Sequence, residues 1–73
     1  MNRRLSISGH ARRRMRQRGI TETDIHRVLE APDISRPGNE PNRTVYERNL
    51  GKVTCVVTVD GSNPVIVVTA FIK

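Results

Sequence analysis

One short stretch of the chain concentrates the residue types that could do chemistry. From Gly9 to Ile20 the sequence GHARRRMRQRGI holds one histidine, five arginines and one glutamine. A histidine side chain titrates close to neutral pH and can accept or donate a proton, and the planar fork of arginine suits phosphate oxygens. This combination is typical of a site that handles a phosphate group, but a solvated helix face contains the same residue types.

Helical geometry separates one stripe of this stretch from the rest. Successive helical residues turn by about 100°, so His10, Arg14 and Arg18 form one stripe beside the apolar pair Ala11 and Met15. We expect Ala11 and Met15 to face the core, which puts the stripe at the border between core and water. The stripe is therefore the candidate site.

The two arginines of the stripe would lose hydration at such a border. Arg14 and Arg18 would then need carboxylates, carbonyls or a ligand phosphate to compensate, and Glu47 is one candidate internal partner. The other arginines of the stretch are predicted to point into solvent: Arg12, Arg13 and Arg16.

The charge of the chain is concentrated at one end. The 73 residues carry a formal net charge of +6, yet residues 1–20 contain seven arginines and no acid, and the remainder sums to −1. Such asymmetry favours a polyanionic partner, most often nucleic acid, although an acidic protein or an anionic membrane surface would also suit it. A solubilising surface is the alternative.

Length and cysteine content limit the class of protein. We expect residues 1–73 to form a single domain with a thin core, which dimerisation would enlarge. One cysteine, Cys55, allows no internal disulfide and fits the cytoplasm. We predict neither a membrane span nor a signal peptide. His10 and His26 lie on different predicted helices, so no metal is expected, and no cofactor motif is found.

Capping signals define two helices near the start of the chain. Ser8 is a candidate N-cap and Gly19 a candidate helix end. Thr21 and Asp24 have the spacing of a capping box for the second helix. The predicted elements are helices at about 8–18 and 21–31, a loop at 33–43, and strands at about 44–50, 53–59 and 65–72.

These elements predict an α+β fold, with two N-terminal helices packed on a three- to four-stranded antiparallel sheet. Ile34 and Ser35 are candidates for a short edge strand. The middle strand alternates with period two, and we expect Cys55 on its core face. The last strand, VIVVTAFI, is apolar on both sides and is expected inside the sheet.

The opening stretch also carries a family resemblance. The pattern H-A-x-x-R-M-x-x-R-G-I resembles the signature of a family of small bacterial proteins of unknown function, in which strands end near V-T-x-[YF], as Val68 to Phe71 do here. The similarity spans nearly the whole chain. The order of helices and strands in that family is also similar to that of small ribonuclease toxins of the RelE and barnase-like superfamily, whose open sheet face holds RNA.

That second resemblance implies a metal-independent endoribonuclease of a toxin-antitoxin system. Cleavage by the neighbouring 2′-hydroxyl needs a base, an acid and positive groups for the developing phosphorane charge. The resemblance implies His10 as acid or base and Arg14 and Arg18 as phosphate ligands, with Tyr46 and Thr69 as further catalytic candidates. The candidates for nucleic-acid binding are Arg12, Arg13, Arg16 and Lys52.

Two other functions stay open from the sequence. The chain carries only Tyr46 and Phe71 as aromatic residues, so phosphate contacts must supply most of any RNA affinity. The same charge would serve a non-catalytic nucleic-acid-binding module. It would also serve a small partner protein that docks on an acidic surface, and an acidic antitoxin covering the basic helix is the partner expected of a toxin.

Overall fold

A computed structural model describes residues 4–73, which form two helices and one five-stranded sheet. The sheet order is β1-β5-β4-β3-β2. In chain order the elements are β1 (Leu5–Ile7), α1 (Gly9–Arg18), α2 (Glu22–Glu30), β2 (Ile34–Pro37), β3 (Arg43–Asn49), β4 (Val53–Val59) and β5 (Val65–Ile72).

The predicted sheet is wrong in strand number and in direction, although the fold is still α+β. β2, β3, β4 and β5 are antiparallel to their neighbours, but β1 precedes both helices and pairs with β5 in parallel, with Leu5 opposite Val65. The sheet is therefore mixed rather than antiparallel. A strand of three residues is too short for a period-two pattern to show, because that pattern needs four or more residues.

The predicted loop at 33–43 contains the second edge strand, at the place where Ile34 and Ser35 were candidates for one. β2 spans Ile34–Pro37 and pairs with β3, while the backbone N–H of Gly38 donates to the carbonyl of Arg43 at 2.9 Å and closes the turn. All four β2 residues are exposed, so no burial pattern marks the strand. Pro37 fits there because an edge strand has one side without a pairing neighbour.

Both predicted helix starts are confirmed by their hydrogen bonds. The hydroxyl of Ser8 accepts from the N–H of Ala11 at 3.0 Å. Thr21 and Asp24 form the reciprocal capping box, with each backbone N–H donating to the other side chain at 3.1 Å. Gly19 ends α1 with φ of 69°, a left-handed conformation that glycine adopts without steric cost.

The core lies between the helices and one face of the sheet. The helices contribute Ala11 and Met15 from α1 and Ile25, Val28 and Leu29 from α2. The sheet contributes Val56, Val67 and Ala70, with Tyr46 packed against them. α1 contacts β5, and α2 contacts β3 and β4. In residues 4–73, neither helix has the length and apolar composition to cross a bilayer.

The other side of the sheet has no helix on it, and we call it the open face. Its central strands present Val45, Glu47, Cys55, Val57 and Phe71, as the register of β3, β4 and β5 requires. The expectation that Cys55 lies on the core face was therefore wrong. Cys55 is nevertheless fully buried, because its neighbours on the open face cover it.

The capping box gives a direct test of the helix start. We expect Thr21→Ala to lower the free energy of unfolding by about 1 kcal/mol, because it removes one side-chain acceptor for a backbone N–H. Thr23→Ala, at an exposed position of the same helix, is the matched control and should change it by less than about 0.5 kcal/mol. Urea denaturation measures both, and equal losses would contradict the capping role.

Candidate nucleic-acid interface

The orientation of α1 places all of its arginines in solvent. Ala11 and Met15, one helical turn apart, are 0% and 5% exposed and face the sheet. The remaining side chains of the helix turn outward. We call the exposed arginines of this helix the arginine face: Arg12, Arg13, Arg14, Arg16 and Arg18.

Few acidic groups neutralise the arginine face. Arg12 contacts Glu22 at 3.2 Å, but both side chains are more than half exposed, so the pair contributes little. Arg14 donates to the amide oxygen of Gln17 at 3.4 Å, a neutral partner. Within the described part of the chain, Arg13, Arg16 and Arg18 form no ion pair. Their charge is therefore available to a ligand.

The prediction that Glu47 is an internal partner of Arg14 and Arg18 was wrong. Arg14 and Arg18 are exposed, so they keep their hydration and need no internal carboxylate. Glu47 lies on the open face, where its carboxylate accepts from Arg36 Nε at 2.9 Å and from Lys73 Nζ at 3.4 Å. Its side chain is only 3% exposed. The hydrogen bond from Arg36 is the largest cause that lowers the pKa of Glu47, against the opposing effect of burial.

His10 lies on the first turn of α1, at the opposite end of the stripe from Arg18. Its side chain is exposed, and Arg14 follows it by one helical turn on the same flank. No acidic residue lies in the first turn of α1. His10 and Arg14 therefore form an accessible pair that a phosphate group can approach from solvent.

The structure places the two strand candidates on different faces of the sheet. Tyr46 is half-buried on the side of the sheet that the helices cover, where it packs against the core. Thr69 lies opposite Val57 on the open face. Tyr46 and Thr69 therefore occupy opposite faces of the sheet and do not form one site with each other.

Lys52 lines the same groove as one residue of the stripe, Arg18. It is exposed in the turn between β3 and β4, and it lines a groove of about 390 Å³ together with Arg18 and Asp24. The cations from the end of α1 and from the sheet thus lie at one shallow depression. The carboxylate of Asp24 is already engaged by the N–H of Thr21.

Sequence reasoning missed a second groove, of about 340 Å³, on the open face. Its floor is apolar, with Val45, Val57, Val68 and Phe71, and Arg36 and Arg43 lie at its rim. The signal in the sequence was the run of apolar residues at alternate positions of β4, which was assigned to the core side of the sheet.

The described residues offer little for metal or thiol chemistry. Among residues 4–73, no group of three or more His, Cys, Asp or Glu side chains is placed to hold a metal ion. Burial, followed by the negative charge of Glu47, raises the pKa of the Cys55 thiol. The thiolate, which is the reactive form of cysteine, is thereby disfavoured.

Residues 7–72 match the model of one protein family, described as a domain of unknown function (DUF4258). The match covers nearly the whole chain, so the protein belongs to this family. The predicted membership in a family of unknown function is thereby confirmed. No curated protein and no solved structure matched the chain.

The buried carboxylate on the open face predicts a specific acid sensitivity. Because the pKa of Glu47 is lowered from its ordinary value of 4.5 in the folded protein, ionised Glu47 stabilises the fold above that pH. This contribution is lost as the pH falls below 4.5 through the lowered pKa of the folded state. We expect the wild-type protein to lose stability more steeply than Glu47→Gln in this range.

The measurement is the free energy of unfolding of both proteins from neutral to acid pH. Arg36→Gln is the companion variant. When Glu47→Gln is added to it, the pH dependence of stability should change less than in the wild type, since the Arg36 hydrogen bond, the largest cause of the lowered Glu47 pKa, is absent. Parallel curves for the wild type and Glu47→Gln would contradict the assignment.

Proposed function

We propose that this protein acts on RNA, which it holds by its phosphates through the arginine face of α1. One observation carries the proposal: five arginines of one helix are exposed, and among the described residues Glu22 is the one acid in contact with them. Guanidinium groups bind phosphate oxygens in a bidentate geometry. The helix is a rigid support for them.

The charge distribution favours the helix layer over the open face as the surface that binds RNA. The resemblance to the RelE-like toxins implies RNA on the open face, but here Arg36 on that face is bound by the buried carboxylate of Glu47. Arg43 has Glu40 at 4.0 Å. The positive potential that attracts a polyanion is therefore strongest on the arginine face.

The placement of the aromatic residues limits how RNA is recognised. Tyr46 is covered by the helices and Phe71 lies on the opposite side of the sheet from α1, so neither stacks on bases of an RNA held by the arginine face. Recognition then rests on phosphate position and RNA shape, as it does for structured RNA. Such binding depends steeply on salt.

Cleavage is the chemical step that the stripe supports. With His10 as the base, the 2′-oxygen gives its proton to the imidazole and attacks the adjacent phosphorus, and the bond to the 5′-oxygen breaks as solvent water protonates that oxygen. With His10 as the acid, the imidazolium protonates the 5′-oxygen and water accepts the proton of the 2′-hydroxyl. The products carry a 2′,3′-cyclic phosphate and a 5′-hydroxyl, and neither a metal nor a cofactor takes part. Arg14, one turn from His10, and Arg18 stabilise the charge on the phosphorane.

In this role the protein is a ribonuclease toxin of a toxin-antitoxin pair in the cytoplasm. An acidic antitoxin that covers the arginine face neutralises it, because it occupies the groups that bind phosphate. The second candidate is a non-catalytic RNA-binding module. It is favoured by the placement of Tyr46 and Thr69 on opposite faces of the sheet, since the two of them therefore cannot both join His10 at one site.

Salt-dependent binding tests the interface without reference to catalysis. We expect the combined change Arg13→Ala and Arg16→Ala to weaken binding to a structured RNA at every sequence tested, and to reduce the slope of log K against log salt by about 2, one for each phosphate contact. Arg27→Ala, an exposed arginine of α2, is the control and should leave the slope unchanged. Fluorescence anisotropy over a salt series measures both. An equal effect of the control would show that only net charge matters.

Cleavage by His10 is tested separately from binding. We expect His10→Ala to reduce the rate of RNA cleavage in EDTA by roughly a hundredfold or more, while its affinity for RNA stays within a factor of about three. The wild-type protein should leave 2′,3′-cyclic phosphate ends on total cellular RNA or intact ribosomes. Binding with no cleavage by the wild-type protein would identify the non-catalytic module. Equal loss of binding and cleavage in the variant would contradict a catalytic role for His10.

A further inference from the structure

We propose that the open face is a dimer interface, at which two copies of the chain pack back to back with their arginine faces outward. The central strand supplies the first observation. Where one face of an antiparallel sheet is solvated, its outward positions are polar, but those of β4 are all apolar: Val53, Cys55, Val57 and Val59. This is the pattern of a strand that is covered on both sides.

The exposed apolar side chains supply the second observation. Ile34 and Ile66, the large hydrophobic residues left exposed in the described part of the chain, are 54% and 38% accessible. Both lie on the open face, since Ile34 is opposite Glu47 and Ile66 alternates with the core-facing Val65 and Val67. The apolar groove floored by Val57 and Phe71 lies over β4 and over β5, the strand that also carries Ile66, whereas Ile34 lies beside Glu47. Apolar surface on β4 and β5 of this kind is typical of an interaction site.

The area of this face is sufficient for a specific dimer. The Cα atoms span 28 × 28 × 24 Å, so the whole open face, with its polar rim, has roughly a sixth of the 4904 Å² accessible surface, about 800 Å². Each partner in a standard specific interface buries about that area. A short chain has a thin core of its own, so this second layer of apolar contact adds substantially to what the monomer buries.

Charge balance identifies the occupant as a second copy rather than an acidic protein. On the open face the carboxylate of Glu47 binds Arg36 and Lys73, and Glu40 lies 4.0 Å from Arg43. These three cations and two carboxylates leave a net charge of +1, which is too small to call for an acidic partner. The arginine face lies beyond the sheet, about 10 Å away in each copy, and the screening length at physiological salt is about 8 Å. Repulsion between the two copies is thus weak.

The arrangement is an isologous two-fold dimer. The β4 and β5 strands of one copy face the same strands of its partner, and apolar side chains enter the groove above Val57 and Phe71. The paired sheets form the inner layers, and the helices form the outer ones. Cys55 and Glu47, already buried in one copy, become more deeply enclosed.

Sedimentation equilibrium of the full chain without RNA tests the proposal, and it is independent of any RNA activity. The wild-type protein should sediment with twice the 8.3 kDa mass of one chain at micromolar concentration. We expect Ile66→Glu to raise the dissociation constant at least roughly tenfold, because it buries an unpaired charge in the interface. Val57→Glu, nearer the centre of the face, should raise it further.

Thr23→Glu, the same change in charge on the exposed side of α2, is the matched control and should leave the dissociation constant unchanged. Circular dichroism establishes that each variant is folded. If Val57→Glu fails to fold, the Ile66→Glu variant alone tests the dimer. The Ile66 side chain is already partly in solvent, so a glutamate is tolerated there in the monomer. A monomer at every concentration overturns the proposal. So does a dimer that both variants leave intact, and so does loss of RNA binding in Ile66→Glu with no change in mass.

Discussion

The contact of Ala11 and Met15 on α1 with the sheet at β5 determines which side chains of this helix lie on the outer surface. Ala11 and Met15 are the buried residues of that helix, so their contact with the sheet sets the rotation of the helix about its axis. Every arginine of the helix then points away from the core, where its charge keeps full hydration and costs little to hold. A different rotation would bury guanidinium groups against Val67 and Ala70, which have no charge to offer them.

This packing divides the molecule into two surfaces with different chemistry. The helix layer exposes cations with few acidic neighbours, whereas the open face has apolar strands and pairs its cations with buried or nearby carboxylates. Glu47 is central to that division. Its buried carboxylate binds both Arg36 and Lys73 and compensates one of their two positive charges. The surfaces proposed to bind RNA and a second copy of the chain thus lie on opposite sides of one small domain.

Local signals predicted the helices well because their causes are local. The cap at Ser8, the capping box of Thr21 and Asp24, and the end at Gly19 each depend on residues within three or four positions of one another. The interior position of β5 also followed from its composition, since an apolar strand on both sides needs neighbours on both sides, and β5 lies between β1 and β4. The strand β1 was missed, and β2 was only a candidate at Ile34 and Ser35, because both strands are short and at the edges, where no burial pattern distinguishes a strand from a loop.

The sequence by itself determined that Arg12, Arg13 and Arg16 point into solvent, because the positions of Ala11 and Met15 and the helical repeat place them outward. The exposure of Arg14 and Arg18, which were expected at the border of the core, followed only from the tertiary structure. Only the tertiary structure decided what lies near the arginine face. Whether Tyr46, Thr69 or Glu47 meets His10 depends on the sheet face that each strand residue occupies, and a strand alternates between two faces without indicating which one the helices cover. That choice follows from the packing of the whole sheet, so a pattern within one strand does not contain it.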